Sequence, residues 1–188
     1  MSAPTTSQTV GPFFSIGLNY SNRMLSDATR RPEDVIVITG TIFDAEGIPV
    51  PDAQLELWRA DANGKYAAVV PLYPAAAAAS FDGFTRVATN DKGLFVFETV
   101  LPGIVPGPQG SMQAPHIVVA IFMRGLLLQL YTRIYFAGQA ANAADPVLAK
   151  VPEERRSTLV ARPDENSPNC YRWDVHLQGS DETVFFAY

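Results

Sequence analysis

Two histidines, one cysteine and seven tyrosines are the side chains of this 188-residue sequence best suited to acid–base, nucleophilic or metal chemistry. Cys170 stands alone, so the chain has neither an internal disulfide nor a cysteine cluster for structural zinc. A serine triad needs a histidine, yet no Gly-x-Ser-x-Gly elbow is present, and no glycine-rich phosphate loop follows a strand. His176 falls in the alternation Arg172, Asp174, His176 against Trp173, Val175, Leu177, which puts it on the polar face of a strand. His116 opens an apolar stretch directly after a Gly/Pro-rich loop, where binding groups tend to collect. A lone histidine at a strand start is nevertheless more often a hydrogen-bonded structural residue than a ligand. Arg124 and Arg133 lie in a stretch, Glu98 to Asp145, whose interior holds no acidic residue. A guanidinium there needs an anion, a set of backbone carbonyls or water, with an acid distant in sequence as the plain alternative. Arg133 alternates with Thr132 and Ile134 and reads as a structural strand residue.

The elements that must hold these residues are strands. Val35–Phe43 is dominated by β-branched residues, and 53–59 alternates Leu55 and Leu57 against Glu56 and Trp58. Further strands are expected at 84–88, 94–98, 117–123, 126–136, 171–178 and 183–186, with short helices at 145–150 and 152–159. Turns with Asp or Asn first and Gly last stand at 44–47, 61–64 and 90–93. The length suits one domain, and many short strands separated by turns predict an all-β fold. The expectation is a β-sandwich of mostly antiparallel strands with short helices in its loops and an extended N-terminal arm. The arm and linker take residues 1–34 and the sandwich 35–188. Gly11-Pro12 forbids helix in the arm, and Phe13 and Phe14 need an apolar surface, on this chain or on a partner.

Charged residues are 18% of the chain, against roughly 25% in an ordinary soluble domain, so part of the surface is expected to lie under another subunit. The net charge of −5 without a basic run makes nucleic acid a poor partner. The N-terminus has no positively charged n-region and no apolar h-region, and prolines break the charge-free stretch 99–123 well short of a membrane span. The cytoplasm is the expected compartment.

Several ordered motifs resemble the intradiol ring-cleavage dioxygenases. They are Thr9-Val-Gly-Pro-Phe13, Gly40 to Val50, Ala53 to Tyr66, Pro115-His116-Ile117, Thr132 to Phe136, Cys170 to Asp174 and Glu182 to Phe186. The resemblance is weakest over 21–34 and 73–82. It implies catalytic chains that hold a ferric ion, Fe(III), with two tyrosines and two histidines, the histidines as a His-x-His pair. Phenolate and imidazole suit a hard ferric ion. Here the pair reads His116-Ile117-Val118, and the second tyrosine position, after Pro102-Gly103, is Val105. Tyr73, seven residues after Tyr66, matches the first tyrosine, and Gln113 replaces an arginine. Valine has no donor atom, so no metal ligand set and no catalytic residue are expected in this chain.

The resemblance implies an iron-free chain that pairs with a homologous iron-bearing β chain, the α–β units repeating in a larger assembly. It implies that Thr9, Gly11, Pro12 and Phe13 of the arm, with Arg124, wall the partner's substrate pocket. The reaction it implies inserts both atoms of O2 between the two hydroxyls of 3,4-dihydroxybenzoate, opening the ring to 3-carboxy-cis,cis-muconate. The isolated chain is then expected to be inactive. Two rivals remain open at this stage. One is a self-sufficient iron dioxygenase in which Tyr73 and His116 recruit further ligands from Tyr66, Tyr131, Tyr135 and His176, and the other is a non-enzymatic, transthyretin-like binding module.

Overall fold

The computed structural model describes residues 6–11, 14, 34–67 and 83–187. Its strands are β1 (Val35–Phe43), β2 (Gln54–Arg59), β3 (Phe84–Ala88), β4 (Leu94–Val100), β5 (Val105–Pro106), β6 (Met112–Gln113), β7 (His116–Phe122), β8 (Leu130–Phe136), β9 (Val160–Asp164), β10 (Ser167–Arg172) and β11 (Val175–His176). One layer runs β3-β2-β7-β8 with antiparallel pairing throughout. The other centres on β1, flanked by antiparallel β4 and by β10 and β11 running parallel to it. Strand β9 stitches the layers together, parallel to β8 and antiparallel to β10. The result is a sandwich on the way to closing as a barrel, and the strand-rich, mostly antiparallel expectation holds in that form.

The layers close on Ile36, Ile38, Leu55, Leu57, Phe95, Ile117, Val119, Ile121, Ile134, Phe136 and Trp173, all buried. Each such side chain contributes roughly 1.5–3 kcal/mol through burial, which fixes the register of every strand that carries them. Because β7 sends Ile117, Val119 and Ile121 into this core, His116 and Val118 must face outward. A second, smaller cluster lies on that outer side, where Tyr135 packs with Ala114, Leu148, Val151, Leu159 and Val184. Short 3-10 turns at Ala140–Ala144, Leu148–Lys150 and Glu153–Leu159 supply this cover.

Several boundaries differ from expectation. The expected strand 126–136 starts only at Leu130, because 123–129 makes the turn that reverses the chain between β7 and β8. The segment 171–178 splits into the end of β10 and β11, and 183–186 contributes a single bridge, Tyr131 to Phe186. The short helices are 3-10 turns. Strand β9 has little local signature, since it is made by pairing with β8 and β10.

The three Asx-Gly turns form as expected. Asp44, Asp61 and Asn90 each accept, through Oδ1, the backbone N–H groups two and four residues on, at 2.8–3.1 Å. Gly64 has φ +78° and sits against the Ile104 carbonyl, where a Cβ has no room. Together with the Gly103 N–H to Asp61 O bond of 2.8 Å, this close approach holds Tyr66 beside the loop that carries Val105. Among the described residues no helix is long and apolar enough to cross a membrane.

Candidate functional site

Two groups of polar side chains stand out, at opposite ends of β7. At its start, His116 is buried, with Nδ1 2.8 Å from the Ala114 carbonyl. A carbonyl only accepts, so Nδ1 carries the proton and Nε2 is left as the acceptor for the Tyr66 hydroxyl, 3.4 Å away. Burial first, and then the Arg133 guanidinium, push the His116 pKa down to about 4, against the contrary pull of the Ala114 bond and of Asp145. The imidazole is therefore neutral near pH 7. Burial likewise raises the Tyr66 and Tyr135 phenols, with Arg133 opposing, so both stay protonated.

Around His116 the network is closed by Asp145. This buried carboxylate accepts the N–H groups of Ala114 (2.8 Å), Val147 (2.9 Å) and Leu148 (2.7 Å) and the Tyr135 hydroxyl (3.1 Å). Four donors satisfy it without a cation. Arg133 stands directly opposite Val118 on β8 and donates from Nη1 to Gln113 Oε1 at 2.8 Å and to the Tyr135 hydroxyl at 3.3 Å. Val105 pairs with that same Gln113 through β5 and β6, and Val118 fills the position two residues after His116 on the same face.

This set does not fit a ferric ion. Val105 and Val118 offer no donor, the His116 nitrogens already have partners, and a permanent guanidinium cation stands among them. Among the described residues no group of three or more His, Cys, Asp and Glu side chains is placed to hold a metal. Tyr73, matched by spacing to the family's first tyrosine, lies outside the described residues.

At the far end of β7, one of the sequence-expected pocket residues, Thr9, docks on the 123–129 turn that carries another, Arg124. Thr9 accepts the Gly125 N–H at 2.8 Å and faces the Met123 carbonyl at 3.5 Å, so the arm docks beside Arg124. The Phe14 ring lies 5.1 Å from that of Phe122, which gives one of the arm's two phenylalanines its apolar surface on this chain. Gly11 is exposed with open space around its Cα, and its carbonyl accepts the Phe14 N–H at 3.0 Å. Pro12 and Phe13 lie outside the described residues.

Arg124 itself pairs with Asp52 at 2.8 Å, with both side chains about half exposed. The distant-acid alternative for this guanidinium is thus realised in the chain on its own. A cleft of about 580 Å³ opens beside it, lined by Arg124, Leu126, Leu130, Leu177 and Phe185 together with the acids Asp44, Glu46 and Glu182. His176 is half-buried on β11 and stacks on Phe43 at 5.0 Å, consistent with a structural role. Sequence reasoning missed Asp145 and gave Arg133 no part in the His116 cluster. The period-two alternation of 130–136, in register with 116–122, was the available signal for Arg133.

Comparisons with known proteins agree on one family. A dioxygenase family model matches residues 10–179. The chain is 43% identical over 196 residues to the protocatechuate 3,4-dioxygenase alpha chain of Burkholderia cepacia, covering 97% of this chain and 96% of that one. It is 33% identical over 155 residues to the protocatechuate 3,4-dioxygenase beta chain of the same organism, covering 79% and 66% respectively. Among solved structures, the dioxygenase domain of a dioxygenase–carbohydrate-binding fusion from Streptomyces sp. SirexAA-E shares the fold. Its TM-score is 0.62 at 22% identity, over 86% of this chain and 88% of that one.

Proposed function

The chain belongs to the intradiol ring-cleavage dioxygenase family, and on that premise we propose that it is the iron-free α subunit of a protocatechuate 3,4-dioxygenase. The observation that carries this reading is the contrast within one small region. His116 keeps its place, while Val105 and Val118 stand where donors are required and Arg133 supplies a fixed positive charge. In this reading a homologous β chain holds the Fe(III), and that ion supplies the activation of the catechol and O2. This chain binds, orients and shields.

Arg124, Thr9, Gly11, Pro12 and Phe13 form its share of the pocket for 3,4-dihydroxybenzoate. The docking of Thr9 on the turn that carries Arg124 supports their acting together. Arg124 exchanges Asp52 for the ring carboxylate, or holds both, through charge-assisted hydrogen bonds that favour one orientation of the ring. The arm's Gly11 lets backbone approach the ligand closely, and Pro12 limits the arm's freedom before docking. The exposed Leu127 and Leu128, beside Arg124 on the same turn, support a subunit contact there. The division into an arm over 1–34 and a domain over 35–188 belongs to the same proposal. So does a cytoplasmic location, which the free thiol of Cys170 supports.

Co-expression with the β chain tests the proposal. The complex is expected to hold iron and convert 3,4-dihydroxybenzoate to 3-carboxy-cis,cis-muconate, and this chain alone to do neither. Tightly held iron and ring cleavage in this chain alone would overturn it. In the active complex, Arg124→Ala is expected to raise KM for 3,4-dihydroxybenzoate about tenfold or more, and much less for catechol, which lacks the carboxylate. Equal effects on the two substrates would count against carboxylate recognition.

A further inference from the structure

The guanidinium of Arg133 has spare capacity. Its Nη1 is saturated by Gln113 and Tyr135, and no carboxylate among the described residues lies within ion-pair distance of it. Among the described residues its Nε is buried without an acceptor, and Nη2 has no hydrogen-bond partner. The carboxylate of Asp145, which shares the Tyr135 hydroxyl with Arg133, is already satisfied by three backbone N–H groups and that phenol. A half-buried cation with unmet donors attracts an anion.

The surface next to it selects the kind of anion. On the outer face, Phe84, Trp58, Val118 and Arg133 stand in one row across β3, β2, β7 and β8. With strands about 4.8 Å apart, the Trp58 and Arg133 positions are about 10 Å apart, with Val118 between them. Trp58 is 38% exposed, and Phe84 buttresses its ring at 4.4 Å. The row is therefore an apolar shelf ending in a positive charge. Tyr66, close enough to feel the same guanidinium, brings a hydroxyl that among the described residues is held by one long 3.4 Å contact to His116.

We propose that this row binds a small aromatic monocarboxylate. Its carboxylate lies on Arg133 Nη2, with the Tyr66 hydroxyl turning away from His116 Nε2 to serve as a second donor, and its ring lies over Val118 towards Trp58. The site is distinct from Arg124 and uses only residues of this chain, so it stands or falls apart from the subunit assignment.

Benzoate is the probe, added to the full chain and followed by calorimetry and by the indole N–H signals of its two tryptophans. Saturable binding is expected to shift Trp58 and to leave Trp173, whose indole is held by the Thr158 carbonyl, in place. Benzamide, which lacks the charge, and acetate, which lacks the ring, are expected to bind at least tenfold more weakly. Arg133→Gln is expected to weaken benzoate by about ten- to a hundredfold. Absence of saturable binding at millimolar benzoate, equal binding of benzamide, or an unchanged affinity in Arg133→Gln overturns the proposal. Should that variant fail to fold, the ligand series and the Trp58 signal of the wild-type chain still decide it.

Discussion

Arg124 and Arg133 share a stretch of sequence without acids, and the fold treats them in opposite ways. Arg124, on an exposed turn, reaches a carboxylate 72 residues away. Arg133, on an interior strand, has a carboxamide and a phenol instead, although the carboxylate of Asp145 is bonded to that same phenol. The difference lies in what each acid is already doing. Among the described residues the Asp52 carboxylate carries no hydrogen bond but that of Arg124, whereas three backbone N–H groups and a phenol satisfy Asp145. Distance in sequence to the nearest acid therefore says little about the charge state of a guanidinium's surroundings, and the competing donors around each acid decide it.

The largest test of that contrast removes the saturated acid. Asp145→Ala strands the N–H groups of Ala114, Val147 and Leu148 and the Tyr135 hydroxyl in a buried place. A loss of about 3–5 kcal/mol in a urea titration is expected, since each stranded buried donor carries a desolvation cost. A loss below about 1 kcal/mol would show that water reaches the cluster and that its closure is not what keeps Arg133 unpaired.

Next in size is the acid sensitivity of His116. Its folded pKa of about 4 lies below the ordinary 6.5, so between those values the unfolded chain binds a proton that the folded chain refuses. The stability due to the neutral imidazole is complete above about pH 6.5 and is lost as pH falls through 6.5 towards 4, roughly 3 kcal/mol in all. His116→Gln is expected to flatten that part of the stability–pH curve. Arg133→Met is expected to raise the folded-state pKa of His116 by a fraction of a unit and so to shrink the loss of stability on acidification, because the guanidinium helps keep the ring neutral, while Arg124→Ala leaves that loss unchanged. Equal effects of the two arginine variants would erase the distinction between the two regions.

Much of this arrangement was legible in the sequence because it rests on local chemistry. The strand 35–43, the alternation of Leu55 and Leu57, and the Asx-Gly turns all follow from side-chain period and turn preference, and the structure keeps them. The valines at 105 and 118 are read directly. What escaped depends on contacts between distant segments. Strand β9 exists because β8 and β10 accept it, and Asp145 matters because a 3-10 turn turns its N–H groups onto the carboxylate. The arm's docking by Thr9 needs the 123–129 turn, which an overlong strand starting at residue 126 had concealed.

The smallest expected effect concerns Arg124 and Asp52. Both side chains are about half exposed, so water and salt screen their attraction, and a double-mutant cycle on Arg124→Ala and Asp52→Ala is expected to give a coupling of about 0–1 kcal/mol. Asp52 carries a positive φ of 62°, so the variant should be compared with Asp52→Asn, which tolerates that backbone better than alanine. A weak pair can be exchanged: the guanidinium can leave Asp52 for a ligand carboxylate at little cost to the fold. A coupling above about 2 kcal/mol, from the same denaturation measurements, would mean that Asp52 holds Arg124 as firmly as a charge-assisted buried bond. Arg124 would then be a brace of the turn, and the contrast with Arg133 would reverse.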